Sequence, residues 1–328
     1  MASLNFPALR IGDPIQEGSF QVFPLFSEGD QEVAYRLPEL QLKEATITEV
    51  SEAGAVPQLV VENHSESLLL LVEGQELIGA KQNRVLNTTV LIKPKSKVTI
   101  PVSCVEAGRW HFHSREMSDA EHFVPNKLRH ELKRGVFQSL KNKLGHRSEQ
   151  GRVWDTVAYL HRELGVSSPT AALDAAYVTY NRELEKFRKD IDYVKGATGL
   201  AIAIGGRVRS LDLFGTAQIC SRLWPRLVAG LAIEALRAAP SQAKVTSEDV
   251  LKYWANITQW PWEAVTTVGE GQEYRAESQQ GDQGSALFYD EKLVYLSAVG
   301  PVVSKSRGSP AGFFRSGWGA FLALWSLD

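Results

Sequence analysis

Cysteine is scarce. The 328 residues contain two, Cys104 and Cys220, far apart and without metal-ligand spacing. That excludes a disulfide-stapled framework and a thiolate cluster as organising principles. It fits a reducing compartment, where cysteines act as small buried hydrophobes. An excess of one charge is also lacking. The net charge is −2, so no global field recruits nucleic acid or membrane. No apolar run reaches the length of a membrane span; the apolar stretch 313–327 is broken by Arg315 and by glycines and serines. The N-terminal residues carry no basic segment ahead of an apolar core, so no secretory leader is expected. Gly-Lys-Ser/Thr, GxGxxG and GxSxG are all missing. P-loop, dinucleotide-fold, kinase and esterase chemistry therefore lose their usual signatures. The expectation is a cytoplasmic protein that does not enter membranes, with no cofactor.

What is present is ordinary globular composition, 44% apolar and 23% charged, which excludes a largely disordered chain. Residues 1–113 read as β-rich, with short apolar or alternating runs at 20–26, 40–50, 59–63 and 68–72 punctuated by Gly, Pro, Asp and Asn. Lys93-Pro94-Lys95-Ser96 sits between two alternating runs as a hairpin connection would. Strands at this spacing predict a sandwich or a barrel-like sheet.

From Asn126 the period changes. Leu128, Leu132, Val136, Leu140 and Leu144 mark one helix face with a stop at Gly145. Val153, Trp154, Val157, Leu160 and Leu164 mark a second helix, ending at Gly165. Ser168-Pro169 reads as the start of a third, carrying Leu173, Ala176, Tyr177, Tyr180, Leu184 and Phe187. Two strands flanking Gly205-Gly206 read as a hairpin. A broad-faced buried helix follows over 217–238, then a short helix and closing strands to about residue 300. The predicted fold class is α+β, with β-rich 1–113, helical 126–190 and mixed 196–300 in one domain. A glycine- and aromatic-rich tail, 301–328, follows it.

Residues 68–110 carry the chemistry. Apolar runs there end in charged groups: Glu73 after 68–72, then Lys81, Gln82, Asn83 and Arg84, then Glu106 and Arg109. Val98, Ile100, Val102, Cys104 and Glu106 share one strand parity, so the carboxylate falls on the buried face. A buried carboxylate must pair or lose its charge, and Arg109 is the nearby partner. Arg84, Arg109 and Lys81 suit phosphate. Gln82 and Asn83 suit ribose hydroxyls or a base edge. Trp110 can stack on a base or pack in the core. Glu73 and Glu106 are candidates for general acid and base, as at a glycosidic bond. The competing reading is a pair of structural ion pairs at strand ends.

His111 and His113 alternate, but no helical His spacing or thiolate supports a metal site, and none is expected. The stretch 127–147 holds seven basic residues against the single Glu131. A solvated helix face explains them better than a nucleic-acid surface. Asp212, at the end of a strand, reads as a structural turn carboxylate.

The segments EGQELIGAKQNRVLNTTVLI, VSCVEAGRW and GLAIAIGGRVRSLDLF with LWPRL resemble the ARPP family, the ADP-ribosylglycohydrolase and rhodanese-phosphatase-superfamily associated protein domain, in its first type. The resemblance spans roughly residues 15–300. Gln150 with Val153-Trp154, and Ser168-Pro169-Thr170, resemble its helical middle. The family's name implies a setting in NAD-derived nucleotide metabolism and brings no catalytic assignment with it. The matching polar residues are Glu73, Gln75, Glu76, Lys81, Gln82, Asn83, Arg84, Asn87, Cys104, Glu106, Arg109 and Trp110. His111-Phe112-His113 and Tyr295 depart from the pattern. The functional expectation is binding, with or without processing, of a small phosphorylated ligand such as ADP-ribose. Lys81, Gln82, Asn83, Arg84, Asn87, Arg109 and Trp110 would be its contacts. The alternative is an interaction or scaffold protein whose polar motif is structural and whose aromatic tail docks a partner.

Overall fold

The computed structural model describes residues 4–28, 35–238 and 243–301; the aromatic tail therefore lies outside the described residues. The fold is α+β. The N-terminal strands are β1 (Leu9–Ile11), β2 (Ile15–Glu17), β3 (Phe20–Ser27), β4 (Tyr35–Arg36), β5 (Ala45–Glu49) and β6 (Gln58–Asn63). They continue with β7 (Leu68–Leu71), β8 (Gln75–Gly79), β9 (Arg84–Leu86), β10 (Val90–Ile92), β11 (Lys97–Cys104) and β12 (Met117–Phe123). Helices α1 (Asn126–Lys141), α2 (Gln150–Leu164), α3 (Asp174–Thr179) and α4 (Asn181–Asp190) come next. The hairpin β13 (Gly199–Ile204) and β14 (Arg207–Phe214) precedes α5 (Ala217–Ala232) and α6 (Ser247–Ile257). The described chain closes with β15 (Glu263–Val265), β16 (Gln272–Glu277), β17 (Gln283–Tyr289) and β18 (Lys292–Val299).

A nine-stranded antiparallel sheet runs β1-β3-β13-β14-β18-β17-β16-β15, with β2 also on β3. The first and last strands of the described residues thus share one sheet. Along β13, Leu200, Ile202 and Ile204 join the core under α1–α5, while Ala201 and Ala203 join a second core with Val250, Trp254 and Ile257 of α6. Covering both faces explains why this strand reads as an unbroken apolar run. Gly205 and Gly206 make the tight turn with φ of 60° and 77°, which costs glycine nothing.

The other strands form a six-stranded sheet, β12-β8-β9-β11-β6-β5, and a three-stranded one, β10-β7-β4. The small sheet is a partition. Leu69, Leu71, Val90 and Ile92 face a third core with Ile47, Val61 and Ile100, whereas Leu70, Val72 and Leu91 face the helical core.

Three expectations change. Lys93-Pro94-Lys95-Ser96 is no hairpin: β10 pairs with β7, and β11 pairs with β6 and β9, so the turn carries the chain between sheets. Helix α1 ends at Lys141, because Lys143 and Gly145 adopt left-handed φ; Leu144 is 62% exposed and lies beyond the core stripe. The third helix does not start at Pro169. Ala171 is left-handed at φ 50°, so α3 begins at Asp174, and Tyr180 separates α3 from α4.

Candidate functional site

Two turns meet where β8 hands over to β9 and where β11 ends. Arg109 holds them together. Its Nε donates to both Glu106 oxygens at 3.0 Å, and Nη2 donates to Oε2 at 2.6 Å. Nη1 reaches the carbonyls of Ala80 (2.7 Å) and His111 (3.1 Å), and Nη2 reaches Gly79 O and Asn83 Oδ1. These carbonyls are aimed by an unusual backbone: Gly79 has φ 122° and Ala80 has φ 40°. A side chain at residue 79 would put its Cβ 2.4 Å from Ser114 Oγ and 2.9 Å from Glu116 O, so glycine is required there. Ala80 in the left-handed region costs on the order of 1 kcal/mol, which the Arg109 contacts offset. Glu106 also accepts the Asn83 N–H at 3.0 Å. Burial alone would raise its pKa. Hydrogen bonds from Arg109, Thr170 and the Asn83 N–H outweigh that and hold the carboxyl below its ordinary value.

Arg84 stands beside this arrangement in a different condition. It is 0% exposed. Nη1 donates to Gln82 Oε1 at 3.0 Å, and Nη2 lies 3.7 Å from Glu49 Oε1. Nε and Nη2 have no hydrogen-bond acceptor among the described residues, and neither has Glu49 Oε2 a donor. Burial pushes the Arg84 pKa down, with the neighbouring Cys104 and Glu49 pulling it back. The Trp110 ring lies over the guanidinium at 5.6 Å. Lys81 forms the outer rim: its Nζ sits 5.2 Å from the Trp110 ring centre, 5.1 Å from that of Phe112, and donates to Ala53 O.

A second polar network lies under α1. Asp212, Ser297, Ser285 and Arg275 are register partners across β14, β18, β17 and β16, a polar row on the helical face of the large sheet. Arg129 and Lys133, one helical turn apart on α1, cover it. Arg129 Nη1 donates to Asp212 at 3.0 Å, and Nη2 donates to Ser297 at 2.8 Å and contacts Asp212 and Tyr295. Lys133 pairs with Glu73 and donates to Ser285 at 2.6 Å. Arg275 bridges Glu73 (3.2 Å) and Glu273 (2.6 Å), and Glu273 meets His146 at 2.8 Å. Asn87 donates to His146 O and accepts from Ser103. The cavity among Glu73, Asn87, Arg129 and Lys133 measures about 10 Å³, room for one water molecule.

The sequence model of the ARG and Rhodanese-Phosphatase-superfamily-associated Protein domain, ARPP-1, matches residues 8–299. The chain belongs to this family. No curated protein and no solved structure matches it. The ARPP name ties the domain to ADP-ribosylglycohydrolase and the rhodanese-phosphatase superfamily, a setting rather than an activity.

Within this ARPP chain, the structure brings Lys81, Gln82, Asn83, Arg84, Glu106, Arg109 and Trp110 together and places Glu73 and Asn87 in the second network. Gln82 donates to Glu106 O and accepts from Arg84. His111 and His113 are exposed. Among the described residues no group of three His, Cys, Asp or Glu side chains could hold a metal ion, and no helix is long and apolar enough to cross a membrane. The basic stretch divides: Lys141, Lys143 and Arg147 are exposed, but Arg129 and Lys133 are buried ion-pair partners.

Sequence reasoning named Glu76 as a matching polar residue but did not pair it with His122. Glu76 and His122, both buried, meet at 2.9 Å, with Asp174 at 4.0 Å from the imidazole and Tyr177 stacked on it at 3.5 Å. Burial, helped by Asp174 and Glu106, raises the Glu76 pKa well above its usual value; burial lowers that of His122 to about 3. Both shifts favour the uncharged forms of the two groups. Glu76 alternates with Gln75 and Leu77 on a strand buried on both faces, so parity gave no signal.

Proposed function

We propose that the chain binds a small phosphorylated ligand of the NAD-derived class, ADP-ribose or a related nucleotide, at the 81–84 connection. The carrying observation is Arg84: a fully buried guanidinium with two nitrogens that no described residue accepts from. Buried donors without acceptors are costly and rare, and an anion's oxygens are their natural complement. Lys81 adds a second cation at the rim, and Trp110 forms the wall between them. Arg109, with every nitrogen engaged, positions the turns instead of contacting the ligand. If the ligand is turned over, Glu106 is the group in carboxylate form beside Arg84 and takes the role of base. Glu73, neutralised by Lys133 and Arg275, is the less suited of the two carboxylates.

The test is thermal unfolding with millimolar ADP-ribose, NAD and AMP. A ligand at 100 times its Kd stabilises by about 2.7 kcal/mol, a shift of several degrees. Lys81→Met should reduce the shift, and Arg84→Met should remove it. Unchanged melting with all three compounds overturns the reading. It would favour the second one, an interaction or scaffold protein, which the saturated Arg109 and the one-water cavity beside Glu73 support.

A further inference from the structure

A cleft of about 240 Å³ lies elsewhere in the fold, between the start of α1, α2, the β13–β14 hairpin and the end of α5. Its walls are Leu160, Leu164, Ile204 and Ile233, with Tyr159 at one side. Five charged side chains also border it: Lys127, Glu163, Arg209, Glu234 and Arg237.

Most of these charges have a structural occupation. The Lys127 ammonium sits 3.2 Å from the centre of the Tyr159 ring, a cation–π contact. Arg237 donates to the Tyr180 hydroxyl at 3.0 Å. Glu163 is exposed at the rim. Helix α1 begins after Pro125, which has no capping side chain. Glu234 does that work from the end of α5, its Oε1 accepting the Lys127 N–H at 2.8 Å. Its second carboxylate oxygen is not needed for the cap. Arg209 is half-buried, and its guanidinium has no hydrogen-bond acceptor among the described residues. Its charge is balanced chiefly by Glu234. The cleft therefore offers one under-used guanidinium and one carboxylate oxygen beside an apolar floor.

We infer that this cleft binds a small zwitterion, an α-amino acid with an apolar side chain. Its carboxylate would pair with the Arg209 fork, its ammonium with the free oxygen of Glu234, and its side chain would cover Leu160, Leu164, Ile204 and Ile233. The volume supports this size class. It falls below the roughly 300–1,000 Å³ of pockets for drug-sized ligands, so a dinucleotide does not fit. Glu234 and Glu163 also repel a phosphate dianion. The site shares no residue with the one around Arg84.

The experiment is calorimetric titration of the intact chain with L-leucine and L-phenylalanine. L-leucinamide, which lacks the carboxylate, N-acetyl-L-leucine, which lacks the ammonium, and inorganic phosphate are the comparison arms. One or both free amino acids should bind, with the amide and the acetyl form weaker by about tenfold or more, because each leaves a charged partner unmatched. Arg209→Gln should weaken the free amino acid by a similar factor. Glu234→Gln keeps an acceptor for the Lys127 N–H, so α1 stays capped; it should erase the preference for leucine over its acetyl form. Any response to ADP-ribose should survive Arg209→Gln, which separates this site from the one at Arg84. No binding of either amino acid, an amide or acetyl form that binds as tightly as free leucine, or a preference for phosphate would overturn the inference.

Discussion

The polar row beneath α1 and the paired turns at 81–84 and 106–109 both bury charge, yet they balance it differently. In the row, Arg129, Lys133 and Arg275 face Glu73, Asp212 and Glu273, and each cation has a carboxylate within ion-pair reach. Arg275 Nη1 and Glu73 Oε2, which lack a well-angled hydrogen bond, are still 3.2 Å apart; Arg129 Nε has no acceptor among the described residues, but both of that residue's terminal nitrogens bond Asp212. In the turns, Arg109 is saturated, while Arg84 has Glu49 at 3.7 Å but makes a single hydrogen bond among the described residues and leaves two nitrogens without an acceptor. Density of charge therefore does not mark a site. A balanced network explains itself as structure, whereas surplus buried donors call for something else to meet them.

The sharpest test of the row is to strand one member. Arg129→Met leaves the Asp212 carboxylate buried with Tyr295 as its remaining side-chain donor among the described residues and should cost about 3–5 kcal/mol. Urea unfolding should show a lower midpoint with an unchanged slope. The double variant Arg129→Met with Asp212→Leu should recover most of the loss, since removing both charges removes the desolvation cost. A single-variant loss below about 1 kcal/mol would place the row in the same class as the turns and dissolve the contrast.

Glu106→Gln strips Arg109 of its counter-charge and should cost about 2–3 kcal/mol at neutral pH. The acid limb of stability adds a sign. With its folded pKa held below 4.5, Glu106 binds fewer protons folded than unfolded, so its contribution is complete above 4.5 and lost as pH falls through the folded value. The glutamine variant should lack that part of the acid sensitivity. Equal acid profiles for both proteins would mean that the Arg109 contacts do not stabilise the carboxylate.

Glu76 and His122 sit beside the turns and should give a smaller, pH-dependent effect. Glu76, whose pKa burial raises, contributes stability that is complete below 4.5 and lost as pH rises through its folded pKa; His122, lowered to about 3 by burial, contributes stability that is complete above 6.5 and lost as pH falls. Glu76→Gln should remove the loss on the alkaline side, measured as the urea midpoint from pH 6 to 9. A variant whose midpoint falls with rising pH as steeply as the parent's would contradict a raised Glu76 pKa.

Local signals in the sequence carried the α+β fold, the Gly205-Gly206 hairpin, the stop of α2 at Gly165 and the inward parity of Glu106. Each depends on neighbours within a few residues. What stayed hidden depends on distant ones. Arg129 and Lys133 read as a solvated face because their partners, Asp212 on β14 and Glu73 in the turn between β7 and β8, lie far away in sequence. The row itself exists only through the register of four strands. Lys93–Ser96 carries the residues of a tight turn, and only pairing shows that it links two sheets. At the candidate site, residue types were legible, but their saturation was not: nothing local distinguishes Arg109 from Arg84.

That distinction yields the smallest stability effect and the most telling one. Arg84→Met removes one hydrogen bond, to Gln82, and a 3.7 Å approach to Glu49. It also removes two nitrogens, Nε and Nη2, that were buried without acceptors. Glu49 keeps the Lys81 N–H at 3.2 Å. The net cost should be about 1–2 kcal/mol. Arg109→Met, at about 3–5 kcal/mol, should be clearly worse. The ligand response runs the other way: the ADP-ribose shift should vanish in Arg84→Met even where the protein is still folded. If Arg84→Met unfolds the chain as readily as Arg109→Met, the guanidinium is structural after all. The two arginines would then belong to one class, and the case for a phosphate beside Arg84 would lose its basis.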